Sequence, residues 1–256
     1  MDNLKKVLNK TALITGASSG IGRDMARVLA EKGYDLILVS RNADNMLKLK
    51  EELKTNVEII QMDLAVEENC KKLYEQVKQV DVLINNAGFG VFGSFEETNL
   101  EKELELINTN IRAVHILTKL FLKNMKQRNE GHILNVASIA GFTPGPLMAA
   151  YYSSKAYVLR LSEAVSEELN KSKSNVKISI LCPGPVRTNF NNVAGVKFNL
   201  NSLSSEFVAR YAVNKMLKGK LIIVPGKVNK CLRLILKVLP ENLCSKFNYY
   251  VQRRKK

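Results

Sequence analysis

The sequence predicts an α/β fold: a parallel sheet of seven strands, doubly wound by helices on both faces. Three observations predict it. Short runs of Val, Ile and Leu recur along the chain, and each is followed by a longer amphipathic stretch. The runs are continuous rather than alternating, as strands buried on both faces are. No Pro/Gly/Ser-rich linker, internal repeat or low-complexity tract interrupts the order. Regular strand–helix alternation makes each connection a right-handed crossover between parallel strands.

The elements follow in sequence. Thr11–Thr15 is a strand, and Gly22–Lys32 a helix with Met25, Val28 and Leu29 on one face and Gly33 as its stop. Asp35–Ser40 is the second strand and Asp44–Lys54 a helix carrying Met46, Leu47, Leu49 and Leu53. Val57–Met62, helix Glu67–Lys78 and strand Asp81–Asn85 come next. A long helix runs from Leu100 to about Met125, then strand His132–Ala137, helix Tyr151–Leu169 and strand Val176–Leu181. Helix Ser205–Leu217 and strand Leu221–Val224 complete the sheet. Residues 1–226 form one domain on this reading, and 227–256 are an extension.

The chain has 256 residues, 46% hydrophobic and 25% charged, which suits a globular protein with a sizeable core and excludes a disordered or collagen-like one. Apolar runs such as Leu36-Ile37-Leu38-Val39 are far shorter than the roughly twenty residues a membrane span needs. Met1-Asp2-Asn3-Leu4-Lys5-Lys6 has no secretory character. Cys70, Cys182, Cys231 and Cys244 are widely spaced, so they read as reduced thiols, and a cytoplasmic location is expected. His115 and His132 stand apart from any acid at ligand spacing, so no metal is expected, and neither a hydrolase elbow nor a Walker A lysine occurs.

In open parallel sheets the ligand lies outside the carboxyl ends of the strands. The first strand ends there in Thr15-Gly16-Ala17-Ser18-Ser19-Gly20-Ile21-Gly22 and runs into a helix. Small residues admit a close ligand, and a helix N-terminus offers free N–H groups, which together suit a pyrophosphate in a Rossmann-like fold. A literal G-x-G-x-x-G, Gly88, Gly90 and Gly93, follows the fourth strand but opens no clean helix, so it reads as a loop beside the site. The second strand ends Val39-Ser40-Arg41-Asn42 without an acid to bind an adenine ribose diol. Arg41 suits a 2′-phosphate instead, and points to NADP(H). Asp63 closes the third strand, either to cap the next turn or to meet the adenine amino group.

Tyr-x-x-x-Lys occurs at Tyr74/Lys78, Tyr151/Lys155 and Tyr211/Lys215. Residues four apart share a helix face, so spacing alone does not choose among them. Only Tyr151/Lys155 opens the helix after a strand that ends in a hydroxyl, Ser138. With Thr15–Gly22, Asn85-Asn86-Ala87-Gly88, Asn110 and Pro183-Gly184 in order, the chain to about residue 226 resembles the short-chain dehydrogenases/reductases in their single-domain form. The resemblance implies catalysis by Ser138, Tyr151, Lys155 and Asn110, with Asn108 the alternative to Asn110. It implies a cofactor site of Gly16, Ser18, Ser19, Gly20, Ile21, Gly22, Ser40, Arg41, Asp63, Asn86, Ala87, Gly88, Lys155, Pro183, Gly184, Val186 and Thr188. Ser138 would polarise a carbonyl, and Tyr151 would exchange the proton. Lys155 would lower the phenol's pKa and hold the nicotinamide ribose, and Asn110 would hold a relay water.

The expected activity is NADPH-dependent reduction of a carbonyl compound, or oxidation of its alcohol, by a homo-oligomer. The alternative is a non-catalytic nucleotide-binding or scaffolding protein of this fold. Phe190–Leu203 falls where the family keeps a substrate lid, and Val193, Val196 and Phe198 there hint at a lipophilic substrate.

Charge is unevenly placed. The net charge is +15, and residues 207–256 hold thirteen Lys and Arg against the one acid Glu241. Val228–Leu239 forms a basic amphipathic helix stopped by Pro240, with Lys230, Arg233 and Lys237 on one face. Its apolar side packs on the core, on a second subunit, or in an anionic membrane surface, aided by Arg253-Arg254-Lys255-Lys256. Few aromatics interleave with this charge beyond Phe247, Tyr249 and Tyr250, so nucleic acid is not expected as a partner.

Overall fold

Seven strands hydrogen-bond into one all-parallel sheet in the computed structural model, which describes residues 10–188, 190, 194 and 202–253. They are β1 (Thr11–Thr15), β2 (Asp35–Ser40), β3 (Val57–Gln61), β4 (Val82–Asn85), β5 (His132–Val136), β6 (Lys177–Leu181) and, after a small separate pair, β9 (Ile222–Ile223). The spatial order is β3-β2-β1-β4-β5-β6-β9. The chain therefore winds outward from β1 in one direction and from β4 in the other. Ala12, Leu13 and Ile14 pair with Val82, Leu83 and Ile84 where the direction reverses, and the crevice above that junction is the natural ligand site.

Alternation along each strand sends neighbours to opposite cores. Ala12 and Ile14 of β1 pack with Met25, Val28 and Leu29 of helix α1 (Gly20–Glu31). Leu13 joins Cys70 and Leu73 of α3 (Glu67–Val77) and Phe121 of α5 (Val114–Arg128) on the other face. Both faces being covered explains why the strands read as unbroken apolar runs. Helix α2 (Ala43–Glu52) begins at Asn42, whose side chain accepts from Asn45 N–H at 2.9 Å.

Three departures from the sequence-based elements bear on the site. The long helix expected from Leu100 is α4 (Leu100–Ile107), a π-helical turn at Asn108–Ala113, and then α5. A short 3₁₀ turn, Ile139–Phe142, capped by Ser138, precedes α6 (Ala149–Lys171). After β6, β7 (Val186–Arg187) pairs in parallel with β8 (Leu203–Ser204), which leads into α7 (Ser205–Met216). The lid candidates Val193, Val196 and Phe198 lie outside the described residues.

The basic extension forms two helices. The expected one is α8 (Lys227–Val238). It is followed by α9 (Glu241–Arg253), which periodicity did not predict. Among the described residues no helix is long and apolar enough to cross a membrane, and no group of His, Cys, Asp or Glu could hold a metal.

Candidate active site

The turn after β1 is built for close approach. Gly16 and Gly20 adopt φ values of +64° and +54°, which side chains disfavour. A Cβ on Gly16 would lie 2.8 Å from the Ala87 Cα. Asn86 ties this turn to the end of β4: its side-chain amide donates to the Thr15 and Gly16 carbonyls at 3.0 and 3.1 Å. The Thr15 hydroxyl in turn accepts from the Asn86 and Ala87 N–H groups. Helix α1 starts immediately beyond, with no side-chain cap on its first N–H groups, and so presents them to the crevice.

One cavity of about 940 Å³ runs from this turn across the strand ends. Gly16, Ser18, Ser19, Gly20 and Ile21 line it at one end; Ser40, Arg41 and Asp63 flank it; Asn86, Ala87 and Gly88 form its floor. Ser138, Tyr151, Lys155, Pro183, Gly184, Val186 and Thr188 line the rest. Gly22 does not line it. A Cβ there would meet the Gly16 carbonyl oxygen and the Asn86 amide at 2.4 Å, so its part is to let helix and turn close up. An elongated dinucleotide fits a groove of this outline, with glycines where its phosphates would press on backbone.

Arg41 has a partner the sequence did not suggest. Its guanidinium donates to Glu105 of α4 at 2.6 Å and lies 4.0 Å from Asp63. Asp63 accepts from Ala65 N–H at 2.9 Å, so it does cap its turn. The Ser40 and Ser18 hydroxyls are hydrogen-bonded at 2.9 Å beside them.

At the other end, Tyr151 and Lys155 occupy the first turns of α6. Lys155 is 5% exposed; its ammonium donates to the Val136 carbonyl at 2.9 Å and stands 5.9 Å from the Tyr151 ring centre. Burial pushes the Tyr151 phenol up to about 12, with Ser138 pulling it partly back. Burial likewise pulls the Lys155 ammonium down to about 8. Desolvation is the leading cause of both shifts: it raises the group whose charged form is the anion and lowers the one whose charged form is the cation.

The π-helical turn explains Asn110. Widening the helix there sets a fully buried Asn110 against the loop after β4. Its amide donates to the Phe89 carbonyl at 2.9 Å and the Ser154 hydroxyl at 3.1 Å, and its oxygen accepts from Phe89 N–H at 3.1 Å. Asn108, the alternative, accepts from Arg112 at 3.1 Å on the exposed side. A Cβ on Gly88 would fall 2.8 Å from the Asn110 oxygen and 3.4 Å from the Lys155 ammonium.

Several contacts were not visible in the sequence. Asn85, Thr118, Asn135 and Ser162 form a buried hydrogen-bonded ladder behind the catalytic group, Asn135 donating to Ser162 at 2.9 Å. The carboxy-terminal helices supply a wall: Val228, Leu232 and Leu236 of α8, and Phe247, Asn248, Val251 and Gln252 of α9. The Gln252 amide donates to the Tyr152 hydroxyl at 2.6 Å, and Asn248 donates to the Pro144 carbonyl at 2.7 Å. Gly145 lies flat on the Tyr152 ring, where a Cβ would come within 2.1 Å. Only the absence of acids in this stretch and its apolar face hinted at such a role.

The short chain dehydrogenase family model matches residues 10–197. The chain belongs to this family. Among solved structures, a short-chain dehydrogenase from Sphingobium yanoikuyae in complex with NADPH superposes with a TM-score of 0.79 at 27% identity, covering 91% of this chain and 97% of that one. A family member from Burkholderia phymatum in complex with NAD gives 0.79 at 25% identity, covering 88% and 92%. Among characterised sequences, a very-long-chain 3-oxoacyl-CoA reductase of Pyrenophora tritici-repentis is 39% identical over 171 residues, which is 62% of this chain and 50% of that protein. This short-chain dehydrogenase is thus an oxidoreductase with a nicotinamide cofactor and a small-molecule substrate, and its fold is the family's seven-stranded Rossmann-like sheet.

Proposed function

We propose that the chain is an NADPH-dependent oxidoreductase that reduces the carbonyl of a lipophilic substrate, or oxidises the corresponding alcohol, with Tyr151 exchanging the proton. The observation that carries this reading is the single cavity lined both by the glycine turn and by Ser138, Tyr151 and Lys155.

Gly16, Ser19, Ile21, Arg41 and Lys155 would hold a reduced nicotinamide dinucleotide along that cavity, where it would supply the hydride. Ser138 donates to the carbonyl oxygen and fixes it beside Tyr151. A phenol near 12 stays protonated at neutral pH and gives its proton as negative charge builds on that oxygen. The Lys155 ammonium, held at the Val136 carbonyl, steadies the phenolate that results. Asn110 anchors the Phe89 loop against α6, and thereby sets the floor beneath Lys155.

The cofactor preference rests on Arg41 and the absence of an acid from Val39 to Asn42. A 2′-phosphate would take Arg41 from Glu105, a surface pair worth only about 0–1 kcal/mol. A lipophilic substrate is favoured by the wall of Leu232, Leu236, Phe247 and Val251, and by the long-chain acyl substrate named for the Pyrenophora relative. The chain is proposed to act as a homo-oligomer in the cytoplasm.

The test is a pair of variants in a carbonyl panel followed by NADPH absorbance. Tyr151→Phe should keep its fold and cofactor affinity and lose most turnover. Tyr152→Phe, one position round the helix, should retain turnover while loosening Gln252. A dead Tyr152→Phe beside an active Tyr151→Phe would overturn the assignment.

A further inference from the structure

Helix α8 shows an apolar arc wider than the pocket needs. Leu232 and Leu236 face the cavity, yet Leu234, Ile235 and Val238 on the same arc project into solvent, Val238 with 82% of its surface exposed. Val228 bridges the two: it lines the cavity and is itself 80% exposed. From α9, Phe247 does the same at 64% exposure, and Leu243 and Tyr250 stand out beside it. Apolar residues thus stand inside the substrate cavity, at its rim where Val228 and Phe247 are both lining and exposed, and on the outside of the same two helices. Isolated exposed apolar residues need no explanation, whereas a contiguous patch at a pocket mouth does.

Charge chooses the occupant. Lys227 and Lys230 border the exposed arc of α8, and Lys246 and Arg253 are exposed on α9. Glu241 is the one acid from residue 207 onward, against thirteen Lys and Arg. A protein partner recognising an apolar patch does not require a near-total absence of acids around it, whereas a surface of anionic headgroups over acyl chains requires both features together. The two helices are joined through Leu239 and Pro240, and both contribute residues to the wall of the one cavity.

We propose that α8 and α9 form a docking surface for an anionic lipid bilayer, and that the cavity opens within that surface, so that a lipophilic substrate enters from the membrane. Helices of this kind lie in the interface with the apolar side sunk into the headgroup–acyl boundary, while basic residues meet the phosphates. Leu234, Ile235 and Val238 would insert. Lys227, Lys230, Lys246 and Arg253 would pair with headgroups. Val228 and Phe247 would stand at the lipid-facing entrance. Docking does not depend on the proposed reductase activity; the entry route rests on it.

The experiment uses the full chain with sedimenting vesicles of phosphatidylcholine, with and without phosphatidylglycerol, and the double variant Ile235→Glu/Val238→Glu. Neither substituted residue lines the cavity. The unmodified chain should pellet with the anionic vesicles and not the neutral ones, and release as salt approaches about 1 M, where screening acts within about 3 Å. The double variant should stay in solution, with a drop of about tenfold or more in bound fraction, and keep its turnover of a water-soluble ketone. With 2-tridecanone dissolved in anionic vesicles, the unmodified chain should outpace the double variant several-fold. An unmodified chain that remains in the supernatant, or a double variant that pellets equally, overturns the docking surface. So does a dimer that the double variant converts to monomer without any vesicle binding, since the patch is then a subunit interface. Pelleting without reduction of either ketone would leave docking standing and remove the reductase reading, and with it the entry route.

Discussion

The Arg41 guanidinium, held by Glu105 at 2.6 Å with Asp63 at 4.0 Å, sits between two carboxylates that a 2′-phosphate would have to outcompete. Phosphate, with its higher charge and bidentate geometry, is the better partner for arginine. Arg41→Ala should therefore weaken NADPH binding by about tenfold to a hundredfold, and NADH binding far less. Glu105→Gln should do the opposite, tightening NADPH by about two- to fivefold. Titration calorimetry with each cofactor checks both, and equal effects on the two cofactors would remove Arg41 from the 2′-phosphate. Lys155 has a pH signature. Its folded pKa of about 8 lies below the ordinary lysine value of 10.5, so the unfolded chain binds the extra proton between those values. Its buried charge costs stability below about pH 8, and that cost fades as pH rises toward 10.5. Without cofactor, Lys155→Met should show its greatest stability relative to the unmodified chain at neutral pH, and the difference should shrink on going to alkaline pH in thermal melts. Legibility at this scale followed sequence distance. Tyr151 and Lys155 were readable because one helical turn joins them, and the glycines because a strand and a helix bracket them. Glu105 was not, because it meets Arg41 from 64 positions away.

Among the elements, the π turn at Asn108–Ala113 shows a limit of periodicity. A single extra residue in a helical turn leaves the apolar pattern almost intact, so the sequence reads as one long helix. The turn's purpose becomes visible only where Asn110 meets Phe89 and Ser154. Asn110→Ala would leave the Phe89 N–H and carbonyl short of partners, while the Ser154 hydroxyl keeps its bond to the Tyr151 carbonyl. At about 1–3 kcal/mol for each such group, partly relieved by water, a loss of about 2–4 kcal/mol is expected. A chain of this size should then melt lower by about 4–12 °C in calorimetry. A melting point unchanged within about 1 °C would mean that the loop is held by other contacts. The β strands were the easier elements, because burial on both faces forces continuous Val, Ile and Leu. Helix α9 was the hardest: only Cys244 and Gln252 of it are buried, too few to impress a period on the sequence.

Across the whole molecule, the sheet and its seven strands are a family scaffold, whereas the cavity is completed by residues beyond Gly226. Leu232→Ala with Leu236→Ala should raise the KM of a lipophilic ketone by about tenfold or more, since each lost hydrophobic contact is worth about 1–3 kcal/mol. A small ketone that does not reach α8 should keep its KM. If both substrates suffer alike, the two leucines hold the domain together rather than grip the substrate.

The same wall has a consequence for biosynthesis. Every residue expected to hold the dinucleotide has been made by Thr188, and the last central-sheet strand, β9, by Ile223. Gln252 and Val251 follow at the very end of the described chain. Domains fold as units during synthesis, so the dinucleotide's seat, although translated early, is completed together with the substrate wall rather than before it. Until Leu232, Leu236, Phe247 and Val251 have been made, the groove for the nucleotide stands open on the side where the molecule to be reduced would be gripped.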